Sequence, residues 1–253
     1  MSSENPSTQH HEQDVDAESH YFDDVAAHRV FDEFTEEQYS SVLELMLQGV
    51  ASGGRVLDAG CGSGAWLGAL ARNGWDAFGV ELSPAQVAQA QSFGLNAVVG
   101  DLLALPADIG QFDAAIMCGV LHHFPSHVER VKLIKSVAGV LKPGGVLASI
   151  DPNGSNPFVQ LAFHLHAEVS PNELCLRERD LRAAYREAGR RIAGRPGKLS
   201  IEQPRAPEGP LQAVWPSLRK LALSLSRPLG SVARGNYTVV RSLPVSGAAP
   251  VAE

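Results

Sequence analysis

The sequence predicts an α/β domain wound around a mostly parallel sheet, and three observations carry that prediction. After about residue 50, short β-rich runs alternate with helical stretches, the pattern of a parallel sheet covered by helices on both faces. A glycine-rich turn, Gly60-Cys61-Gly62-Ser63-Gly64, stands where the first of those runs gives way to the first helix. Of the 253 residues, 44% are hydrophobic and 19% charged, which supplies apolar side chains for a sizeable core.

Taken in order, Met1 to about Ser19 offers Ser, Glu, Asp, Gln and His with little to bury and reads as a disordered acidic tail. From Tyr21 to Val50 apolar residues return, and Val42, Leu43, Leu45, Met46 and Val50 suit one side of a helix. Ser52-Gly53-Gly54 ends it. Strands are predicted over Arg55–Asp58, Ala77–Glu81, Ala97–Gly100, Phe112–Cys118 and Gly145–Ile150, with helices over Ala65–Asn73, Pro84–Phe93 and Val128–Leu141. Ser83-Pro84 is an N-cap followed by a first-turn proline. Gly94 and Lys142-Pro143-Gly144-Gly145 are stops. A further helix is predicted over Glu178–Ala188, closed by Gly189. Six prolines between Pro196 and Pro228 interrupt any long element in that stretch. Tyr237–Val240 reads as a final strand, and 244–253 as a flexible tail.

The bulk properties exclude several classes. No stretch reaches the roughly 18 apolar residues of a membrane span, and the polar, acidic start shows no apolar core of a secretory signal. Three widely spaced cysteines without a CxxC pair argue against a disulfide framework or a zinc site and fit the cytoplasm. The net charge of −7 is unevenly spread: residues 1–40 hold eleven Asp/Glu and one Arg, whereas 177–241 hold fourteen Lys/Arg and five Asp/Glu. The basic end suits an acidic substrate, nucleic acid or a membrane surface; the plainer reading is a solvated or internally neutralised charge.

The glycine turn reads Val56-Leu57-Asp58-Ala59-Gly60-Cys61-Gly62-Ser63-Gly64. Glycines let a ligand approach the backbone, and the adjoining helix start offers amides to a polar group. Alone it also satisfies the dinucleotide pattern GxGxx(G/A), through Gly60, Gly62 and Ala65. With Asp58 before it and the landmarks after it, the chain resembles the class I S-adenosylmethionine-dependent methyltransferases, especially their small-molecule branch. The resemblance covers roughly Tyr21 to Asp151, continues weakly to Gly189 and fades beyond.

That resemblance implies a doubly wound, Rossmann-like sheet of seven strands, mostly parallel with an antiparallel last strand, in one domain over about 20–243. The cofactor-binding half is about 50–151 and the acceptor side about 152–243. It implies S-adenosylmethionine as cofactor, with Asp58, Gly60, Gly62 and Gly64 supporting the loop and the methionine amino group. Glu81 and Leu82 come at the end of the second strand, Glu81 on the ribose hydroxyls, because a carboxylate accepts two hydrogen bonds. Asp101 would accept from the adenine amine while Leu102 packs on the ring, and the Cys118 carbonyl would face the methionine end. The segment Phe112 to Phe124 resembles the fourth-strand motif, and Leu141 to Leu147 the turn before strand five.

His122 and His123, just past strand four, are candidates for a general base, against a packing or cofactor-side role. Methyl transfer also proceeds by alignment alone. His164, His166 and Glu168 invite a metal reading, but the preceding residues look helical, where the three would not share a face, so no metal is expected. Tyr21 and Phe22 suit either closure over the cofactor or helix packing. Leu218, Leu221, Ala222 and Leu225 form an amphipathic stripe beside Arg219 and Lys220; about 214–227 is a membrane or lipid contact, or more plainly a packed helix. Arg190 stands where the family usually begins an apolar strand. The expected acceptor is a small organic molecule, a natural-product or lipid-like metabolite, with no nucleic acid. The alternatives are a protein or nucleic-acid methyltransferase, a non-catalytic regulator with this fold, and a nicotinamide-dependent oxidoreductase.

Overall fold

The computed structural model describes residues 34–157, 159–160, 174–193, 197–199 and 237–244. Among them, eight strands form one sheet: β1 (Arg55–Ala59), β2 (Asp76–Glu81), β3 (Ala97–Val99), β4 (Phe112–Cys118), β5 (Leu141–Pro152), β6 (Arg190–Ile192), β7 (Gly197–Leu199) and β8 (Tyr237–Pro244). Their order is β3-β2-β1-β4-β5-β8-β6, with β7 also paired to β8. The first five in that order run parallel, and β8 is antiparallel to β5, β6 and β7. Because β6 pairs residues 242–244 and β7 pairs 237–239, the two fill successive parts of one strand position. The sheet therefore has seven positions, with β8 the one strand running against the rest, as the sequence implies.

The central strands are buried: Val56, Leu57 and Ala59 of β1 and Ala114 to Met117 of β4 are inaccessible to solvent. Such continuous apolar runs belong to strands covered on both faces. One face is packed by α1 (Glu36–Met46) and α2 (Ala65–Arg72), with Tyr39, Val42, Leu43 and Met46 against Val146, Ile150 and Val239. The other is packed by α4 (His127–Gly139) and α5 (Glu178–Glu187), with Leu133, Ile134, Leu181 and Tyr185 against Leu57 and Leu147. Between them in the chain, α3 (Pro84–Ser92) covers the β2–β3 edge with Val87 and Ala90. The chain leaves β1 outward to β2 and β3, then crosses back to β4 beside β1. That reversal opens a crevice at the carboxyl ends of β1 and β4, the position at which doubly wound sheets bind ligands.

Local chemistry explains the boundaries. Thr35 and Gln38 form a reciprocal capping box that starts α1, and Ser83 accepts from the Gln86 amide ahead of Pro84 to start α3. The structure differs from the sequence expectation in four places. Leu45 points outward, at 40% exposure; the buried stripe is Tyr39, Val42, Leu43 and Met46, the i, i+3, i+4, i+7 spacing of one helical face. Strand β5 starts at Leu141 rather than Gly145, because Leu141 pairs Phe112 before 142–145 loop out and Val146 resumes against Ala114. Strand β8 runs to Pro244, which pairs Arg190 and so is not part of a free tail.

Arg190 is the fourth difference. It is buried, yet its guanidinium donates to the carbonyls of Gly145 (2.8 Å) and Ser242 (3.1 Å) and to the Ser242 hydroxyl (3.4 Å). A cation thus takes the place of an apolar residue by tying β6 to β5 and β8. Met1–Ser19, Tyr21, Phe22, the His164–Glu168 segment and 214–227 lie outside the described residues. No helix among the described residues is long and apolar enough to cross a membrane.

Arg190→Met keeps bulk but strips donors from buried acceptors, each loss costing about 1–3 kcal/mol. The expected outcome in urea unfolding is a destabilisation on that order with an unchanged m-value. A midpoint equal to that of the unaltered protein would show that the arginine does not secure β6.

Candidate active site

The glycine turn is held in place by β2. The amides of Gly60 and Cys61 both donate to the Val80 carbonyl (2.8 and 3.1 Å), and the Gly64 amide closes the turn on the Cys61 carbonyl (2.9 Å). Gly64 then caps α2 in the left-handed region, φ 95°, and a Cβ there would lie 2.5 Å from Leu95 Cδ1 and 3.1 Å from Ala90 Cβ. Gly60, at φ 82°, has Val120 Cγ2 2.6 Å from where its Cβ would be. Any larger residue at either position would be strained and would push the loop off its neighbours.

Glu81, at the end of β2, reaches back to this loop. One carboxylate oxygen accepts from the Gly62 amide and the other from the Ser83 amide, both at 3.0 Å. The same carboxylate thus fixes the glycine turn and the start of α3. Asp58, near the end of β1, is wholly buried, and neither of its oxygens meets a donor in hydrogen-bonding geometry. Burial, then the neighbouring Glu81 charge, pushes its carboxyl up to about 8, moderated by the Leu67 amide. An orphaned buried carboxylate is costly unless a partner arrives. A cationic amino group, such as that of a bound amino acid moiety, fits this requirement.

The remaining predicted residues stand at neighbouring strand ends. Asp101 lies just past β3 and caps a short 3-10 turn, accepting from the Leu103 amide at 2.8 Å. Leu102 in that turn is buried and borders Gly60, and Leu82 is half-buried beside Glu81. Cys118 ends β4, with its thiol driven well above the ordinary range by burial, then by the charges of Asp58 and Asp151. Strand order places all of these at adjacent carboxyl ends, β3-β2-β1-β4.

His122 and His123 form the next turn, Leu121–His123, with ring centroids 4.1 Å apart. His122 is buried; its amide donates to Oδ1 of Asp151 at 3.2 Å, and its Nδ1 lies 3.4 Å from the same oxygen. Burial pushes the His122 imidazole down to about 4 and the Asp151 carboxyl up to about 7. His123, half-buried, is likewise lowered by burial and by its neighbour. Both rings are therefore neutral at pH 7. Behind them, the Leu174 amide donates to the His122 carbonyl and the Gly154 amide to the Leu176 carbonyl, both at 2.9 Å, so the segment before α5 abuts the histidine turn.

Two features escape a reading of the sequence. Asp151 carries a signal, an acid closing the apolar run Val146 to Ile150, but that signal marks only a strand end. Phe34, Tyr39, Trp66 and Tyr237 form an edge-to-face aromatic cluster, with centroids 4.7 to 5.8 Å apart, next to the glycine turn. Its members come from three separate parts of the chain and give no joint local signal.

Residues 57–149 match the family model described as a methyltransferase domain. Over 101 residues the chain is 38% identical to the Bos taurus protein named Probable tRNA methyltransferase 9B, spanning 40% of this chain and 22% of that one. Over 124 residues it is 32% identical to the Mus musculus tRNA (carboxymethyluridine(34)-5-O)-methyltransferase ALKBH8, spanning 49% of this chain and 18% of that one. The chain thus matches about a fifth of the length of these relatives. Magnesium protoporphyrin IX methyltransferase (ChlM) from Synechocystis PCC 6803, solved with bound SAH, shares the fold at TM-score 0.56, with 19% identity and 83% of each chain covered.

These relatives overturn the expectation of a small-molecule acceptor without nucleic acid, since both carry tRNA in their names. That expectation rests on the resemblance to the small-molecule branch, which is carried by cofactor-side motifs that are silent about the acceptor.

The buried carboxyls give a pH signature. Asp58 and Asp151 ionise near 4 when unfolded but at about 8 and about 7 when folded. The folded state then holds the extra protons, so stability falls as pH rises through 7 to 8. Thermal unfolding should show a lower Tm at pH 9 than at pH 7, above the range where histidines titrate. Asp58→Asn should flatten that slope and stabilise the protein at pH 9 by on the order of 1–3 kcal/mol. Equal slopes in the two proteins would count against a strained Asp58.

Proposed function

The chain carries a class I S-adenosylmethionine-dependent methyltransferase domain, and from that premise we propose that it methylates RNA, with tRNA the first acceptor to test. The observation that carries the acceptor is the 38% and 32% identity to two proteins named for tRNA methylation. Bound S-adenosylmethionine supplies an electrophilic methyl group on a sulfonium sulfur; the protein supplies orientation and electrostatics.

In this reading Asp58, protonated at pH 7 in the free protein, gives up that proton and receives the ammonium group of the methionine moiety. Glu81 accepts from the ribose hydroxyls while its two amide bonds keep it rigid. Asp101 and Leu102 take the adenine, one as acceptor and the other as packing surface. The glycine turn, held closed against β2, admits the ligand to the backbone.

His122 and His123 face the acceptor step as neutral imidazoles, each able to donate one N–H and accept one proton. Asp151 orients the His122 ring, with Oδ1 3.4 Å from Nδ1. An acceptor that is already ionised, such as the carboxymethyl group in the mouse relative's name, needs no deprotonation, and the pair then serves to position it. An acceptor that must lose a proton finds only a weak base in His122, because burial lowers its proton affinity.

Calorimetric titration with S-adenosylhomocysteine should give a Kd on the order of micromolar, with no binding of NAD. Glu81→Gln should weaken it about tenfold or more, the scale of a lost charge-assisted hydrogen bond. Transfer of labelled methyl from S-adenosylmethionine into tRNA, both unmodified and carrying carboxymethyluridine, tests the acceptor. Binding without transfer to any tRNA would sink the acceptor reading, and absence of binding by folded protein would sink the cofactor reading.

A further inference from the structure

Charge is divided along the chain. Between 34 and 126 the chain holds nine Asp/Glu and two Lys/Arg; between 127 and 193 it holds ten Lys/Arg and seven Asp/Glu. The acidic part builds β1 to β4 and their glycine crevice, and the basic part is centred on α4 and α5.

Those two helices pack on each other through their apolar sides, with Val131, Leu133 and Ile134 of α4 and Leu181, Ala184 and Tyr185 of α5 buried. Their outward sides carry exposed Lys132 and Lys135 on α4, and Arg179 and Arg186 on α5, with Arg177 at the α5 N-cap. Lys132 and Lys135 are three residues apart, and Arg179, Arg182 and Arg186 fall at i, i+3, i+7, so each set shares one helix side. Arg182 is held by Glu178 and Arg179 lies near Asp180. Among the described residues no carboxylate is within salt-bridge reach of Lys132, Lys135 or Arg186, which leaves an excess of positive charge. The N-terminal end of α5 lies on the crevice side, since the segment leading into it is bonded through Leu174 to the carbonyl of His122.

We propose that the outward α4–α5 face, through Lys132, Lys135, Arg179 and Arg186, binds the phosphate backbone of the RNA acceptor. The inference rests on the RNA reading above. Guanidinium and ammonium groups on a stable two-helix layer neutralise phosphates without reading sequence, so they set affinity and orientation rather than specificity. The acidic half repels the same backbone. Together the two halves turn the acceptor so that its backbone lies along α4–α5 and an unpaired nucleotide reaches the histidine turn.

Counterion release makes this measurable. Each phosphate contact contributes about 0.7 to 0.9 to the slope of log affinity against log salt. The full chain and a Lys132→Gln/Lys135→Gln/Arg186→Gln variant are titrated with unmodified tRNA across a salt series. The expected result is a variant slope shallower by about two, with affinity at least about tenfold weaker at low salt and S-adenosylhomocysteine affinity unchanged. Arg72→Gln, on the acidic half, should leave the slope as it is. A triple variant with the wild-type slope, or an equal drop in Arg72→Gln, overturns the α4–α5 assignment while the RNA reading stands. Absence of tRNA binding by the unaltered chain overturns both.

Discussion

The carboxylate of Glu81 is the contact on which the crevice depends. It sits at the end of β2, accepts from Gly62 on one side and Ser83 on the other, and so fixes two loops with one charge. The glycine turn needs this support because its glycines contribute no side chains that pack. Val80 supplies the matching constraint by accepting from Gly60 and Cys61. Strand β2 therefore serves as the template for the loop between β1 and α2, and the parallel register of β1 on β2, Asp58 opposite Gly79 and Ala59 opposite Val80, sets where that template acts.

The same arrangement places Asp58 in a costly position. Two carboxylates converge on a site closed to solvent, and it is Glu81 that holds the amides of Gly62 and Ser83. Replacing Asp58 with an apolar group would ease the fold, whereas replacing Glu81 would strip the Gly62 and Ser83 amides of their acceptor. Sites that hold ligands commonly keep such under-satisfied polar groups, at the expense of stability. Asp151 repeats the pattern at the end of β5: one oxygen serves His122, while the other meets no donor among the described residues. The buried polar groups thus gather at the carboxyl ends of the strands, whereas the middle of β1 and β4 is apolar.

The cofactor side is legible in the sequence because its constraints are local. Gly60, Gly62 and Gly64 are required by backbone angles that other residues adopt only with strain, and Glu81, Asp101 and Cys118 each stand where an apolar run marks the end of a strand. The start of β5 and the direction of Leu45 lack such marks. The loop at 142–145 carries turn residues, yet the strand pairs on both sides of it, a fact fixed by Phe112 on another strand. Leu45 lies close to three buried residues in sequence, and only the helical phase turns it outward. Arg190 resembles a defect in an apolar strand because its acceptors, Gly145 and Ser242, are 45 and 52 residues away.

The acceptor side is not legible in the same way, and the fold supplies the reason. Strand order brings β1 to β4 together through short connections, so spacing in the sequence maps onto spacing in the crevice. Beyond β5 the chain reaches the crevice through contacts that sequence distance hides: Leu176 with Gly154, Leu174 with His122, and Tyr237 with Pro152 across the β5–β8 ladder. Beyond β5, spacing in the sequence therefore does not map onto spacing in the crevice. Net charge obscures this further, since −7 for the whole chain does not register the exposed Lys132, Lys135, Arg179 and Arg186 on α4 and α5. An anionic polymer responds to the local field within about a Debye length, roughly 8 Å at physiological salt, so the basic α4–α5 layer governs such a ligand more than the sum does.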